Sequence, residues 1–271
     1  MVKGEGLALS CGMRRRAARR VALLAAVFVA ASAVMGRSES ALSPAALSLA
    51  QIVAGMQAHD RAQTENLKHY ESLRAYDVQY HGLGRASATM QVEVSYDAGH
   101  GKSFRIVSQS GSAVLRNSVL KRALESEEQA SKEKDSTALN SANYRFRLEG
   151  SESVDGHTVY VLDVDPLKRE KFLYKGRIWV NAADFAVSSM QVTPAERPSI
   201  WISGTTIWVT NELTDGFWLP KQMRSRTRVR IGGSAIMTID YGQYRIQPAS
   251  SQPASSSPQP LSSRAVPGGS R

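Results

Sequence analysis

Apolar and polar residues alternate along much of the chain between residues 76 and 246. The clearest case is YKGRIWVNAADFAVSSMQV, Tyr174 to Val192, which alternates, turns at Asn181–Asp184 and alternates again. A period of two residues is typical of a β-strand that has one apolar face. The stretch therefore predicts an antiparallel hairpin of Gly176–Asn181 with Ala186–Val192.

The same alternation, and in Val159–Val164 a nearly continuous apolar run, predict further strands on both sides of this hairpin. They are Tyr76–His81, Met90–Tyr96, Phe104–Val107, Tyr144–Leu148, Val159–Val164, Ile200–Thr210, Trp218–Arg230 and Ala235–Ile246. Short runs rich in Gly and Asp, at Asp97–Gly101, Thr214–Gly216 and Ile231–Gly233, predict tight turns between neighbouring strands. The strands are therefore expected to run antiparallel.

Two segments instead show helical spacing of their apolar residues. The first predicts a helix over Leu47–Tyr70, with Ser48 as its N-cap and Ile52, Val53 and Met56 on one face. The second, Ala113–Lys134, is rich in charge and interrupts the strands. A helix, hairpins, a second helix and a long antiparallel run predict an α+β domain.

The two ends of the chain differ in composition from this domain. Five arginines between Arg14 and Arg20 precede an apolar run and the small residues Ala31-Ser32-Ala33, which predicts a cleaved signal peptide over residues 1–33, with an uncleaved anchor as the alternative. Residues 248–271 are rich in Ser, Pro and Gly and predict a disordered tail. One folded domain is expected over residues 41–247.

Charge and cysteine content narrow the possible roles. Cys11, the only cysteine, would leave with the signal peptide, which excludes disulfides, thiolate metal sites and lipid attachment in the exported chain. Residues 1–33 also carry half of the formal net charge of +10. The remaining positive charge is mild and does not require a nucleic-acid partner, although it would favour anionic lipid surfaces.

The sequence offers little that suggests catalysis. Its five histidines are scattered without the spacing that places two metal ligands on one face. Asp163 and Asp165 precede Pro166 at a strand end, which is more typical of a turn than of an acid–base pair. Because phosphate loops and nucleophile elbows are also missing from the sequence, we expect neither an enzyme nor a metal or other cofactor.

The order of elements, together with YKGRIWVNAADFAVSSMQV and DGFWLPKQMRSRTRV, resembles the bacterial outer-membrane lipoprotein carrier superfamily over most of residues 45–247. The resemblance implies a large curled antiparallel sheet, an incomplete β-barrel, with two helices covering an apolar cavity. It also implies a periplasmic monomer that carries lipid or lipoprotein acyl chains between envelope transport or acceptor proteins. An envelope stress sensor of the same fold and a secreted enzyme of unrecognised type remain alternatives.

Two sets of residues are candidates for function. The residues expected to line the apolar cavity are Met90, Val92, Val94, Tyr144, Phe146, Ile178, Trp179, Val180, Met190, Trp208 and Trp218. Four arginines with a two-residue period form a ladder along one face of a predicted strand, with Met223 and Val229 on the other face: Arg224, Arg226, Arg228 and Arg230. The ladder could contact an anionic lipid headgroup or an acidic partner, or it could be a solvated face that deters edge pairing.

Overall fold

The computed structural model describes residues 47–248 apart from Pro198, Trp201 and Ile231. The predicted signal peptide and, beyond Pro248, the predicted tail lie outside the described residues. In the part of the chain that is described, no helix combines the length and the apolar character needed to cross a membrane.

The first helix, α1, spans Leu49–Asn66, and Ser48 caps it as predicted. Ser48 accepts a hydrogen bond from the backbone N–H of Gln51, whose side chain accepts one from the backbone N–H of Ser48, so both ends of a capping box are present. The prediction that α1 extends to Tyr70 is wrong. The chain becomes extended at Leu67 because Leu67 and Tyr70 are buried as part of the sheet.

Ten strands form one antiparallel sheet in the order β3-β2-β1-β10-β9-β8-β7-β6-β5-β4. They are β1 Leu67–His81, β2 Arg85–Asp97, β3 Gly101–Gly111, β4 Tyr144–Val154, β5 His157–Pro166, β6 Tyr174–Asn181, β7 Val187–Pro194, β8 Ile202–Thr214, β9 Phe217–Val229 and β10 Ser234–Pro248. All paired strands are consecutive in the chain except β1 and β10, and the consecutive strands β3 and β4 lie at opposite ends of the sheet. The predicted α+β class and the large antiparallel sheet are confirmed.

The second helical segment follows β3 and is composite. It consists of α2 Ala113–Leu115, a π-helical turn Arg116–Leu120, α3 Lys121–Lys132 and the short α4 Lys134–Thr137. Leu115, Leu120 and Leu124 are its buried apolar side chains. The prediction of a helical interruption at Ala113–Lys134 is confirmed.

Both helical segments pack on the same face of the sheet, which we call the inner face. α1 covers the β4–β7 end, where Ile52 and Met56 pack with Leu162 and Ile178. α2, the π-helical turn and α3 cover the other end, formed by β1, β2 and β10. The apolar core is therefore divided between two helix-covered regions at opposite ends of one sheet.

The sheet is curled but does not close. Lys171, in the loop between β5 and β6, donates a hydrogen bond of 2.7 Å to the side-chain oxygen of Gln129 on α3. Since α3 lies over the opposite end of the strand order, this contact requires the two ends to approach each other around the helices. The outer strands β3 and β4 do not pair, which leaves an open, curled sheet.

Candidate functional site

A continuous row of apolar side chains crosses the inner face through nine directly paired strands. From β4 to β2 it consists of Leu148, Leu162, Ile178, Met190, Val209, Met223, Ile239, Tyr76 and Met90. Residues that are directly opposite each other on paired strands lie on one face, so the row follows from the register of the sheet. It is the longest apolar path across the fold that the pairing defines.

The row is covered unevenly. Ile178, beneath α1, is 0% exposed and Ile239, beneath the second helical segment, is 2% exposed. Between them the side chains are only half-buried, and Ile207 and Val209 belong to neither buried cluster. We call this half-covered region the central patch; it consists of Met190, Ile207, Val209, Met223 and Met237.

Eight of the eleven residues that were predicted to line a cavity lie on the inner face. Six of them are buried, namely Met90, Val92, Val94, Tyr144, Ile178 and Val180, and two are half-buried, namely Phe146 and Met190. They are divided between the two helix-covered clusters. Met190 alone among them belongs to the central patch.

The three predicted tryptophans lie apart from the row. Trp179 pairs with Ser189 on the outer face, and its indole N–H donates to Glu152. Trp208 is directly opposite Arg224, also on the outer face, and is 37% exposed. The structure therefore does not bring Trp179 or Trp208 together with Ile178 and Met190.

Trp218 lies at the start of β9, beyond a register shift that interrupts the alternation of this strand. Its backbone exchanges two hydrogen bonds with the side chain of Gln63 on α1. Its indole N–H donates to Asp184 in the turn between β6 and β7, at 2.7 Å. Trp218 thus connects α1, β9 and the hairpin of β6 and β7.

A buried ionic cluster fixes α3 on the sheet. Arg74 on β1 is 1% exposed and donates from Nη1 to both carboxylate oxygens of Glu127 on α3, at 2.8 and 2.9 Å. Lys102 on β3 donates to the same carboxylate at 2.8 Å. The Arg74 guanidinium also lies 4.6 Å from the ring centroid of Tyr241. Two strands and one helix therefore meet at a single carboxylate.

The charges in this cluster stabilise each other. Burial disfavours the ionised carboxylate, but Lys102 and Arg74 outweigh it and lower the pKa of Glu127 to about 2. Burial raises the pKa of Tyr76 to about 12, and Glu127 adds to the shift. Glu127 is therefore ionised and Tyr76 neutral at physiological pH.

Three buried polar atoms in or beside this cluster have no hydrogen-bond partner among the described residues: the Ser72 hydroxyl, Arg74 Nε and the Tyr76 hydroxyl. Ser72, Arg74 and Tyr76 follow each other with a two-residue period along the inner face of β1. Native proteins rarely leave buried polar atoms unpaired, because each costs about 1–3 kcal/mol. This part of the inner face can therefore accept a polar group next to the apolar row.

The arginine ladder lies on the outer face of β9. Arg224, Arg226 and Arg228 pair with Thr238, Ile236 and Ser234 of β10, while Met223 and Val229 lie on the opposite face as predicted. Arg230 lies in the turn after β9, so the prediction that the strand and the ladder extend to Arg230 is wrong; all four arginines are exposed. None forms an ion pair with another residue in the described ranges.

The sequence predictions missed Arg74, Lys102, Glu127 and most of the central patch. A signal was present for the ion pair. The two-residue period of a strand places Arg74 and Ser72 on the same face as Tyr76, although the apolar residues there are Leu73 and Ala75 on the other face. Glu127 follows Leu120 and Leu124 at helical spacing. For Ile207 and Val209, alternation indicates that the two side chains share a face. How far these side chains are shielded from solvent depends on where the helices pack, which alternation does not indicate.

Within the described ranges, no group of three or more His, Cys, Asp or Glu side chains is arranged to hold a metal ion. The ion pair of Asp163 is with Arg147, at 3.0 Å, and Asp165 faces Arg145 at 4.0 Å. These two carboxylates are therefore part of cross-strand pairs between β4 and β5.

Comparison with known proteins gives matches of limited extent. Residues 136–244 match a family of unknown function (DUF5686). No curated protein matches the chain. A LolA superfamily protein from Nitrosomonas europaea is 13% identical, with a TM-score of 0.40 and coverage of 74% of this chain and 94% of that one.

Two further solved structures are similar. An outer membrane lipoprotein-sorting protein domain from Vibrio parahaemolyticus is 14% identical, with a TM-score of 0.43 and coverage of 72% of this chain and 92% of that one. Lipoprotein LppX from Mycobacterium tuberculosis is 12% identical, with a TM-score of 0.25 and coverage of 73% and 96%. Within the described residues, the open ten-stranded sheet with its two helical segments has the architecture that the predicted resemblance implied.

Proposed function

We propose that this protein binds acyl chains of lipids or lipoproteins on the central patch and carries them across the cell envelope without catalysing a reaction. The observation that carries the proposal is the apolar row, which is buried beneath helical segments at Leu162 and Ile178 and again from Ile239 to Met90, and is half-covered between Met190 and Met223. A fully packed core would leave no such interval. An acyl chain is long, apolar and narrow enough to follow it.

The composition of the central patch suits a ligand of variable shape. Three of its five members are methionines, whose unbranched side chains adapt to different partners. Each CH₂ group removed from water contributes about 0.8 kcal/mol, so a few carbons against the patch would provide measurable affinity. Neither property requires a reactive side chain.

The unpaired polar atoms of Ser72, Arg74 and Tyr76 would orient the ligand. Tyr76 belongs to the same row as Met223, two strands away. Ligand sites typically combine an apolar lining with a few polar groups that fix orientation. We infer that the ester or amide end of an acylated ligand lies on the β1 side of the patch.

The arginine ladder is our candidate for the surface that meets the donor or acceptor. Arg224, Arg226 and Arg228 lie on the outer face, opposite the central patch, Arg230 follows in the next turn, and none of the four is in an ion pair with another described residue. They would attract acidic protein surfaces or anionic lipid headgroups. This role fits a periplasmic protein that shuttles between envelope components.

Acyl binding is tested by native mass spectrometry of the purified protein, followed by titration with a fluorescent fatty acid. We expect co-purified lipid and saturable binding of about one probe per chain, because enclosed apolar sites are few per protein. Val209→Asp should weaken binding at least tenfold, since it places a charge in the apolar patch. The matched control is Thr210→Asp, the next residue of β8 on the outer face, and it should bind as the wild type does. Equal binding by both variants would refute the site.

A further inference from the structure

The sheet splits at one end between β7 and β8. Their pairing joins Ser189–Val192 to Ile207–Thr210 and ends there. β7 nevertheless continues to Pro194, and β8 already begins at Ile202 and pairs with β9 from that point. Over this interval, the edges of β7 and β8 that face each other are not paired with any described strand.

A cleft of about 750 Å³ lies at the split. Thr193 and Pro194 of β7 form one wall, and Ile202–Thr205 of β8 form the other. The loop after β5 closes the end with Leu167, which is 51% exposed. The cleft thus combines some exposed apolar surface with the free edge of β8 and with a two-residue edge of β7, in which Pro194 has no backbone N–H.

The lining of the cleft is predominantly basic. It includes Lys168, Arg169, Lys175 and Arg197 against Asp165 and Glu196. Asp165 already faces Arg145, outside the cleft lining, at 4.0 Å. Arg169, Lys175 and Arg197 form no ion pair with another described residue. A positive field therefore surrounds the two free edges.

We propose that an extended, acidic peptide segment of a partner protein binds in this cleft by adding a strand along the edge of β8 that faces β7. Unpaired backbone N–H and C=O groups at a strand edge bind an extended chain through main-chain hydrogen bonds. Carboxylates on the bound strand would pair with Lys175 and Arg197 at the rim. An apolar side chain of the peptide would contact Leu167.

Charge distinguishes this occupant from the chain's own C-terminal residues. Residues 249–271 contain no Asp or Glu and carry Arg264 and Arg271, so they would be repelled by the basic lining. An anionic lipid headgroup could form ion pairs with the basic side chains of the cleft. It has no row of amide groups, however, that could form hydrogen bonds with a strand edge. The free edges and the charge together favour an acidic peptide.

The experiment measures fluorescence anisotropy of an eight-residue peptide of alternating Glu and Val. Two comparison peptides are its Lys–Val counterpart and the Glu–Val peptide with every second backbone nitrogen methylated. We expect saturable binding of the Glu–Val peptide alone, because methylation removes hydrogen-bond donors while it keeps the charge. Vesicles with and without an anionic phospholipid test the lipid alternative.

Protein variants locate the site. Lys175→Glu combined with Arg197→Glu should weaken peptide binding at least tenfold, since it reverses two rim charges. The matched control combines Lys68→Glu with Arg85→Glu, two exposed residues of β1 and β2, and should leave binding unchanged. Fatty-acid binding should be unaffected in both double variants, which separates this site from the central patch.

Several outcomes would overturn the proposal. One is that the methylated peptide binds as tightly as the unmethylated one, which would leave charge attraction without strand addition. Another is that the cleft variant and its control bind equally. Binding of anionic vesicles without binding of the Glu–Val peptide, or the absence of peptide binding, would also exclude strand addition by an acidic segment.

Discussion

At the scale of single residues, the ion pair of Arg74 and Glu127 has the largest expected effect on stability. Arg74 is 1% exposed, so its charge is taken almost wholly out of water and must be compensated within the fold. Glu127 provides this compensation from α3 through two hydrogen bonds. The pair is therefore expected to stabilise the position of α3 on the inner face.

Glu127→Gln should lower the free energy of unfolding by about 3 kcal/mol, because it leaves the buried Arg74 guanidinium without its counter-charge. Chemical denaturation monitored by tryptophan fluorescence measures the change. Glu128→Gln is the control, since Glu128 pairs with Lys132 within α3 and both side chains are largely exposed. It should change stability by less than about 0.5 kcal/mol. Equal effects of the two substitutions would contradict the role given to Arg74.

The same carboxylate predicts how stability depends on pH. The pKa of Glu127 falls from 4.5 to about 2 on folding, so the folded state favours the ionised form. Its contribution is complete above about pH 4.5 and is lost as the pH falls toward 2. Denaturation midpoints measured across this range should decline more steeply in the wild type than in Glu127→Gln. Parallel profiles would show that the carboxylate is not held at a low pKa.

Residue patterns indicated which side chains share a face, but they did not indicate which face the helices cover. Trp179 and Ile178 are neighbours and therefore lie on opposite faces, so at most one of them could be covered by α1. Ile178 is the covered one. The tryptophans were predicted to line a cavity because of their large apolar surface. In the structure, Trp179 and Trp208 lie on the outer face instead.

At the scale of elements, the hairpin of β6 and β7 depends on a close backbone approach at Gly176. This glycine has a φ of +139°, and a Cβ at this position would lie 2.4 Å from the carbonyl oxygen of Gln191 on β7. Both the conformation and the space require the absence of a side chain. Gly176 therefore sets the distance between the two strands.

Gly176→Ala should destabilise the protein by about 1–3 kcal/mol, because the added methyl group would push β6 away from β7. Thermal or denaturant unfolding measures this loss. Gly84→Ala is the control, since a Cβ at Gly84 meets no atom within 4 Å and the φ of Gly84 is not in the left-handed region. If Gly176→Ala were as stable as Gly84→Ala, the close approach would not constrain the hairpin.

The elements themselves were largely predictable. A two-residue period, and at β5 a nearly continuous apolar run, predicted a strand at each of the ten observed positions. The N-terminus of α1 was predicted correctly from Ser48 as the N-cap. The error at Leu67–Tyr70 arose because Leu67 and Tyr70 also satisfy helical spacing, and only their pairing with β10 and β2 makes them strand.

At the scale of the whole molecule, the candidate site exists because distant segments pair. β1 and β10, whose paired residues are separated by more than half of the chain, are joined along most of their length. This pairing connects the Tyr76 and Met90 end of the row to Met223 and Val209. Local patterns contain no information on such pairing, so the row could not be derived from the sequence alone.

The curl of the sheet also belongs to this scale. It brings the loop that carries Lys171 against α3 and leaves the central patch between two helical segments. The sequence indicated a carrier-like fold through resemblance and an apolar face through alternation. The position of the opening between α1 and α3 determines where an acyl chain could enter. This position depends on how the two helical segments pack on the sheet.

The most direct measurement is photo-crosslinking with a fatty acid that carries a diazirine in its chain, followed by mapping of the labelled peptides. If acyl chains bind the central patch, label should accumulate at Ile207, Val209, Met223 and Met237. Unlabelled fatty acid should compete it away, and Val209→Asp should abolish it. Label confined to outer-face residues such as Trp208, or label that unlabelled fatty acid does not displace, would contradict an acyl-binding inner face.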